Sequence, residues 1–176
     1  MSALLVFHRF VKAILRGTEV LVIVTLAFLV LDVLWGVFSR YVIGEQSRWT
    51  EEVAIYLLIW VSLIGAAVTY YENGHLGVDY VVQKWDPRTR RVGEFIVHVI
   101  VLVFVLYGLL YGGWQLVSET IRTGQVSAAT EVPMAIVYAS VPVSGGFFTL
   151  FAIDRLAGFF TGIREEVDTN TKPEVV

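Results

Sequence analysis

The sequence predicts an all-α integral membrane protein with four transmembrane helices, two interfacial amphipathic arm helices and both termini in the cytoplasm. Three observations carry that prediction. Four apolar stretches, at about 20–42, 53–71, 95–117 and 133–153, are each long enough to cross a bilayer. A helix rises about 1.5 Å per residue, so about 20 residues traverse a hydrocarbon core of about 30 Å. Charged residues are only 16% of the chain and hydrophobic ones 56%, with a mean hydropathy of +0.70. Soluble domains carry about 25% charged residues. The third observation is where the basic residues fall. Arg9, Lys12 and Arg16 precede span 1, Lys84, Arg88, Arg90 and Arg91 join spans 2 and 3, and Arg155, Arg164 and Lys172 sit at or beyond the end of span 4. Only Arg40, Arg48 and Arg122 lie on the opposite side. Positive residues stay inside, which orients the termini and the 2–3 connection.

The elements follow in order. Leu4, Phe7, Phe10, Val11 and Ile14 recur at helical spacing opposite His8, Arg9, Lys12 and Arg16. A basic amphipathic segment of this kind is expected to lie in the membrane interface as a first arm over 3–16. Span 1 is too long for a signal-peptide core and is expected to be retained. Asn73-Gly74 supplies a stop for span 2. Val78, Val81, Val82 and Trp85 then repeat the amphipathic pattern, predicting a second arm over 77–86 that ends at Asp86-Pro87. Residues 1–163 therefore read as one membrane domain and 164–176 as a polar, disordered cytoplasmic tail.

Few residues in the spans carry chemistry. Asp32 lies midway along span 1, where an ionisable group costs roughly 2.5–3.5 kcal/mol on insertion scales. Structural pairing with a neighbouring helix or protein is preferred to proton coupling, because relay partners are scarce. Ser47, Arg48, Trp49, Thr50, Glu51 and Glu52 open span 2. Helix-start chemistry explains a hydroxyl cap, an acid at the positive dipole end and a tryptophan anchor at the interface. Glu52 shares a face with Trp49 and Tyr56, so an ion pair with Arg40 across the short connection is expected. His98, one turn into span 3, suits structural hydrogen bonding. Gly108 and Gly112 form a GxxxG spacing, Gly65-Ala66-Ala67 and Ser140/Ser144 add small residues, and Pro142 with Gly145-Gly146 breaks span 4. Tyr107, Tyr111 and Trp114 line one side of span 3.

No Gly-rich phosphate loop, HExxH or nucleophile elbow occurs, so an enzyme is not expected. With no cysteine there is no disulfide, thiol or iron–sulfur chemistry, and His8, His75 and His98 are placed badly for a bis-histidine haem. The basic residues do not form a nucleic-acid surface. No metal site is expected in this chain.

Residues 40–81 resemble the small membrane subunit of tripartite ATP-independent periplasmic (TRAP) transporters, the DctQ-type family. The resemblance rests on Arg40-Tyr41, Gly44, Ser47, Trp49 and Glu52, then Gly65-Ala66-Ala67, then Gly74-His75 with Val78-Asp79. Looser matches follow at Gly113, Ser127, Pro133, Tyr138, Pro142 and Gly145, and the likeness covers nearly all the chain except its termini. It implies a permanent pair with a large multi-span subunit that holds the substrate and sodium sites and moves like an elevator. It also implies a periplasmic binding protein delivering an organic acid, and a bacterial or archaeal inner-membrane location among membrane lipids. This chain would then enlarge the fixed scaffold. Arg40, Ser47, Trp49 and Glu52 would set its periplasmic end, and Gly74, His75, Asp79 and Trp85 the cytoplasmic turn and second arm. The rival expectation is a self-contained, proton-coupled four-span exporter using Asp32. An anchor for a membrane redox enzyme is weaker, for want of histidines and cysteines.

Overall fold

Helix α1 runs unbroken from Ser2 to Phe38. At about 1.5 Å per residue it is roughly 55 Å long, well beyond the thickness of a bilayer core. The computed structural model describes residues 2–45, 47–72 and 87–161. A π-helical turn, Ser39–Ile43, ends α1 at Gly44, whose φ of +83° is left-handed and whose N–H reaches the Ser39 carbonyl at 3.1 Å. Helix α2 spans Arg48–Tyr71. Helix α3, Pro87–Phe104, passes into a π-helical segment, Val105–Gly112, and then into α4, Gly113–Thr123. Short α5, Met134–Tyr138, precedes α6, Ser140–Thr161. Among the described residues four helical stretches are long and apolar enough to cross a membrane: Leu5–Ile43, Arg48–Tyr71, Phe95–Thr123 and Met134–Gly158.

The first arm does not stand apart from span 1. Gly17 is the one poor helix former at the junction, and a single glycine costs only about 1 kcal/mol. The Thr18 hydroxyl turns back to the Ile14 carbonyl at 2.9 Å, so it is satisfied within the continuous helix. Of the apolar face foreseen on this segment, Phe7, Val11 and Ile14 are covered by protein, whereas Phe10 is exposed. Val11 and Leu15 are buried in a cluster with Ala67, Val68, Tyr70, Tyr71, Phe151 and Ala152. This cluster is the main hydrophobic core, and it sits at the Tyr71 end of the bundle. The second arm, with Gly74, His75, Asp79 and Trp85, and the tail 164–176 lie outside the described residues.

Along its span α1 touches the bundle by one narrow seam. Between 20 and 38 only Val22, Thr25, Leu29, Asp32 and Gly36 are partly covered, and the rest are exposed. With Val11, Leu15, Thr18 and Ser39 these make an unbroken 4-3 spacing, the repeat of a left-handed helix pair. The partner is α2, running antiparallel. A Cβ on Gly36 would lie 3.2 Å from the Thr50 hydroxyl oxygen, and one on Gly65 would lie 3.9 Å from Val22.

The third and fourth spans meet differently. The expected close face at Gly108 and Gly112 is not where they touch. A Cβ on Gly108 would meet only Phe104 of its own helix, at 3.4 Å, and one on Gly112 only the Tyr107 carbonyl, at 3.5 Å. The contact instead uses Gly113, where a Cβ would come within 2.9 Å of Pro142, and Gly145, where it would come within 2.9 Å of Leu109. The π turns are the reason. They close i→i+5 bonds, so each turn holds more residues and the contact face moves off the α-helical period. Pro142 has no N–H for the Tyr138 carbonyl, and the helix breaks there between α5 and α6. Ser140 then donates its hydroxyl to the Val137 carbonyl at 2.7 Å.

Gly113→Ala should lower stability by about 1–3 kcal/mol, because the proline ring and backbone opposite cannot yield. Gly108→Ala should leave it nearly unchanged. Thermal unfolding of the two variants in one detergent checks this, and equal midpoints would return the contact to the GxxxG pair.

Candidate functional site

Two polar clusters and one isolated carboxylate stand out. The first cluster closes the Glu52 end. Gly124, at φ +63°, ends α4, and its successors fold into a tight loop closed by Ser127 N–H to Val132 O at 2.9 Å and Met134 N–H to Gln125 O at 3.0 Å. The loop aims its donors inward. Glu52, in the second turn of α2, accepts the Ala129 N–H at 3.0 Å, the Thr130 N–H at 3.1 Å, the Thr130 hydroxyl at 3.0 Å and the Ser127 hydroxyl. Tyr56, one turn on, reaches the same carboxylate at 3.4 Å. A carboxylate taking both backbone and hydroxyl donors is a strong, directional anchor. It ties the start of span 2 to the loop that opens span 4.

The expected Arg40–Glu52 pair is not formed. Glu52 is filled by the loop, and Arg40 is exposed on the π turn. Ser47 holds the N-cap position of α2 without capping it. The Thr50 hydroxyl bonds back to the Ser47 carbonyl at 2.8 Å, and Trp49 is exposed at this end. Ser127 was noticed in the sequence only as a loose match. Its link to Glu52, 75 residues away, is invisible to local pattern.

The second cluster lies at the Tyr71 end. Asp154 and Arg155 are adjacent on α6 and almost fully buried. Asp154 meets His8 Nδ1 at 2.9 and 3.2 Å through its two oxygens and accepts the Tyr71 hydroxyl at 2.8 Å. Arg155 donates to the Tyr71 carbonyl at 2.6 Å and stacks over the Tyr70 ring, 5.4 Å from its centre. Tyr70 then joins His98 Nδ1 at 3.0 Å. Four helices, α1, α2, α3 and α6, are tied here. Asp154 escaped the sequence reading, and Arg155 figured there only as a basic residue at a helix end. Their adjacency at the end of an apolar span, with His8 at the start of another, was the available signal.

Asp32 differs from both. Both its carboxylate oxygens are covered, and neither has a hydrogen-bond partner. Among the described residues no three His, Asp or Glu side chains converge as metal ligands would.

Comparison with known proteins places this architecture. Residues 29–162 match the family described as tripartite ATP-independent periplasmic transporters, DctQ component. The chain belongs to that family. It is similar to a putative TRAP transporter small permease protein of Haemophilus influenzae, 27% identical over 80% of this chain and 86% of that one. It is also similar to the sialic acid TRAP transporter small permease SiaQ of Vibrio cholerae, 22% identical over 84% of each. A third relative, the isethionate TRAP permease DctMQ of Oleidesulfovibrio alaskensis, is 27% identical over 65% of this chain but only 18% of its own length. The chain is thus a multi-pass small permease subunit of the TRAP type. In DctMQ the matching region is a small part of a much longer permease.

Tyr71→Phe should cost about 1–3 kcal/mol, since it removes a donor to a buried carboxylate. Arg40→Ala should change stability by less than about 0.5 kcal/mol. Unfolding midpoints in detergent separate the two, and an Arg40 effect as large as that of Tyr71 would restore the ion pair. In Glu52→Gln the side-chain amide sets its own N–H groups against the loop's donors. Hydrogen exchange at the Ala129 and Thr130 amides should then quicken about tenfold or more. Unchanged protection there would show that the loop holds without the carboxylate.

Proposed function

We propose that this small permease is the fixed membrane brace of a sodium-coupled, binding-protein-dependent transporter of organic acids. Its large partner subunit carries the substrate and sodium sites, and a periplasmic binding protein delivers the solute. The chain itself holds no cofactor or metal and performs no catalysis. It lies in the inner membrane with the Asp154 end and both termini in the cytoplasm and the Glu52 loop in the periplasm, as the basic residues suggest. Glu52, together with Ser47, Trp49 and Arg40 at the same end of the bundle, sets the periplasmic end near the site where the binding protein docks. Gly74, His75, Asp79 and Trp85 shape the cytoplasmic turn and arm.

The observation that carries the reading is that both polar clusters are closed. Glu52 is filled by its own loop, and Asp154 by His8 and Tyr71. Each cluster locks helices together instead of opening towards a ligand. A moving transport domain needs a neighbour that does not move, and cross-tied helices at both ends supply one. The family match favours this over the self-contained exporter.

Reconstitution into proteoliposomes tests it. Uptake of the organic acid should require this chain, the large subunit, the binding protein and an inward sodium gradient together. This chain alone should transport nothing. Transport by the chain alone, or full uptake without it, would overturn the proposal.

A further inference from the structure

Among the described residues, Asp32 is the acid whose two carboxylate oxygens are both covered and both without a hydrogen-bond partner. Its place on α1 is informative. In the 4-3 seam the repeat position that starts at Val11 falls next on Thr18, Thr25, Asp32 and Ser39, each seven residues apart, and these four are polar. Three of the four are satisfied within their own chain segment. Thr18 and Thr25 donate to the carbonyls of Ile14 and Leu21, at 2.9 and 2.7 Å, and Ser39 donates to that of Glu45 at 2.7 Å. Asp32 cannot do this as a carboxylate, because it only accepts. The backbone N–H groups around it are already spent in the helix. Opposite it α2 offers no donor, and both oxygens stay unpaired.

An unpaired carboxylate at this depth is expensive, and intramembrane acids pair with one another's counter-charges or mark a pathway. The side from which a partner can come is also defined. Phe28 and Trp35, one turn before and one turn after Asp32, are 61% and 49% exposed. Asp32 therefore lies between the covered seam and this exposed face: its oxygens are covered within the chain, and a turn of the side chain towards Phe28 and Trp35 brings them to a partner. A second apolar helix laid along that face would touch Phe28 and Trp35 and bring a side chain to Asp32.

We propose that the edge of α1 marked by Phe28, Asp32 and Trp35 docks a transmembrane helix of the large subunit, which presents a lysine or arginine to Asp32. This rests on the pairing with the large subunit proposed above. The counter-charge is basic because it must neutralise a carboxylate away from water, where a charge-assisted bond is about twice as strong as a neutral one. The rest of the exposed apolar surface of α1 suits lipid equally well and selects no partner. Asp32 supplies the selection.

The test uses the intact complex, co-expressed with the large subunit. Asp32→Asn keeps the shape and removes the charge, so the large subunit recovered on a tag carried by this chain should fall roughly tenfold. Asp32→Leu should do the same. The chain has no cysteine, so Phe28→Cys and Trp35→Cys each provide a single attachment point for a photoactivatable cross-linker. Both should capture the large subunit, whereas Val30→Cys and Val37→Cys, exposed on other faces, should not. The cross-link keeps the proposal falsifiable even if the Asp32 variants fold poorly. Full recovery of the complex with Asp32→Asn would overturn it. So would capture of a second copy of this chain, or of lipid alone, from Phe28→Cys and Trp35→Cys. If the large subunit never co-purifies with the unmodified chain, the scaffold reading itself fails. If it co-purifies regardless of Asp32, only the docking edge fails.

Discussion

Helices in a bilayer are not pushed together by water, because lipid tails are as apolar as leucine. Their association must come from close packing and from polar groups that lipid cannot satisfy. In this chain the buried pair Asp154–Arg155 meets that constraint most fully. The two charges face different neighbours. Asp154 draws in the start of α1 through His8 and the end of α2 through Tyr71. Arg155 holds the last carbonyl of α2 and the Tyr70 ring, and Tyr70 passes the connection to α3 through His98. Remove that junction and the hydrophobic cluster around Val11 and Phe151 has nothing to fix the angle of the helices that form it. The long amphipathic start of α1 is explained by the same junction, since His8 must extend past the end of α2 to reach Asp154.

The opposite end uses a different device for the same need. Among the described residues no core cluster lies there, and a loop rather than a helix end must be held. Backbone N–H groups in a loop cannot be left bare, and Glu52 gathers two of them together with two hydroxyls. Between the two ends, contact depends on shape. The 4-3 seam of α1 on α2 and the glycine contacts of Gly113 and Gly145 let backbones approach where no polar bond is made. The bundle is thus tied at its ends and closely fitted between them, an arrangement suited to staying rigid under load.

The four spans were legible in the sequence because span length and apolar content are set by the bilayer and not by tertiary detail. The faces were less so. Val11 and Ile14 declared an amphipathic stripe, but periodicity says that a face is covered and not by what, and protein rather than the membrane surface covers it. Gly108 and Gly112 matched a packing motif that assumes α-helical period, which the π segment Val105–Gly112 breaks. The Arg40–Glu52 pair was inferred from nearness in sequence, whereas Glu52 finds its partners in a loop two spans later. Asp154 was missed because an acid beside a basic residue at a span end resembles an ordinary solvated terminus. Only the fold shows that it is buried.

Asp32 is the case that joins these lessons. Sequence alone marks it as costly, and structural pairing was the preferred explanation. Among the described residues that pairing does not occur, although every other polar residue on the same heptad position finds an oxygen nearby. A subunit that folded for itself would have little reason to keep a carboxylate there. Thr18 and Thr25 show that a hydroxyl at the same position closes on its own helix. An acid is retained most readily where something outside the chain requires its charge. The feature that looks like a flaw in the isolated small subunit is then the part of it that is complete only in the complex.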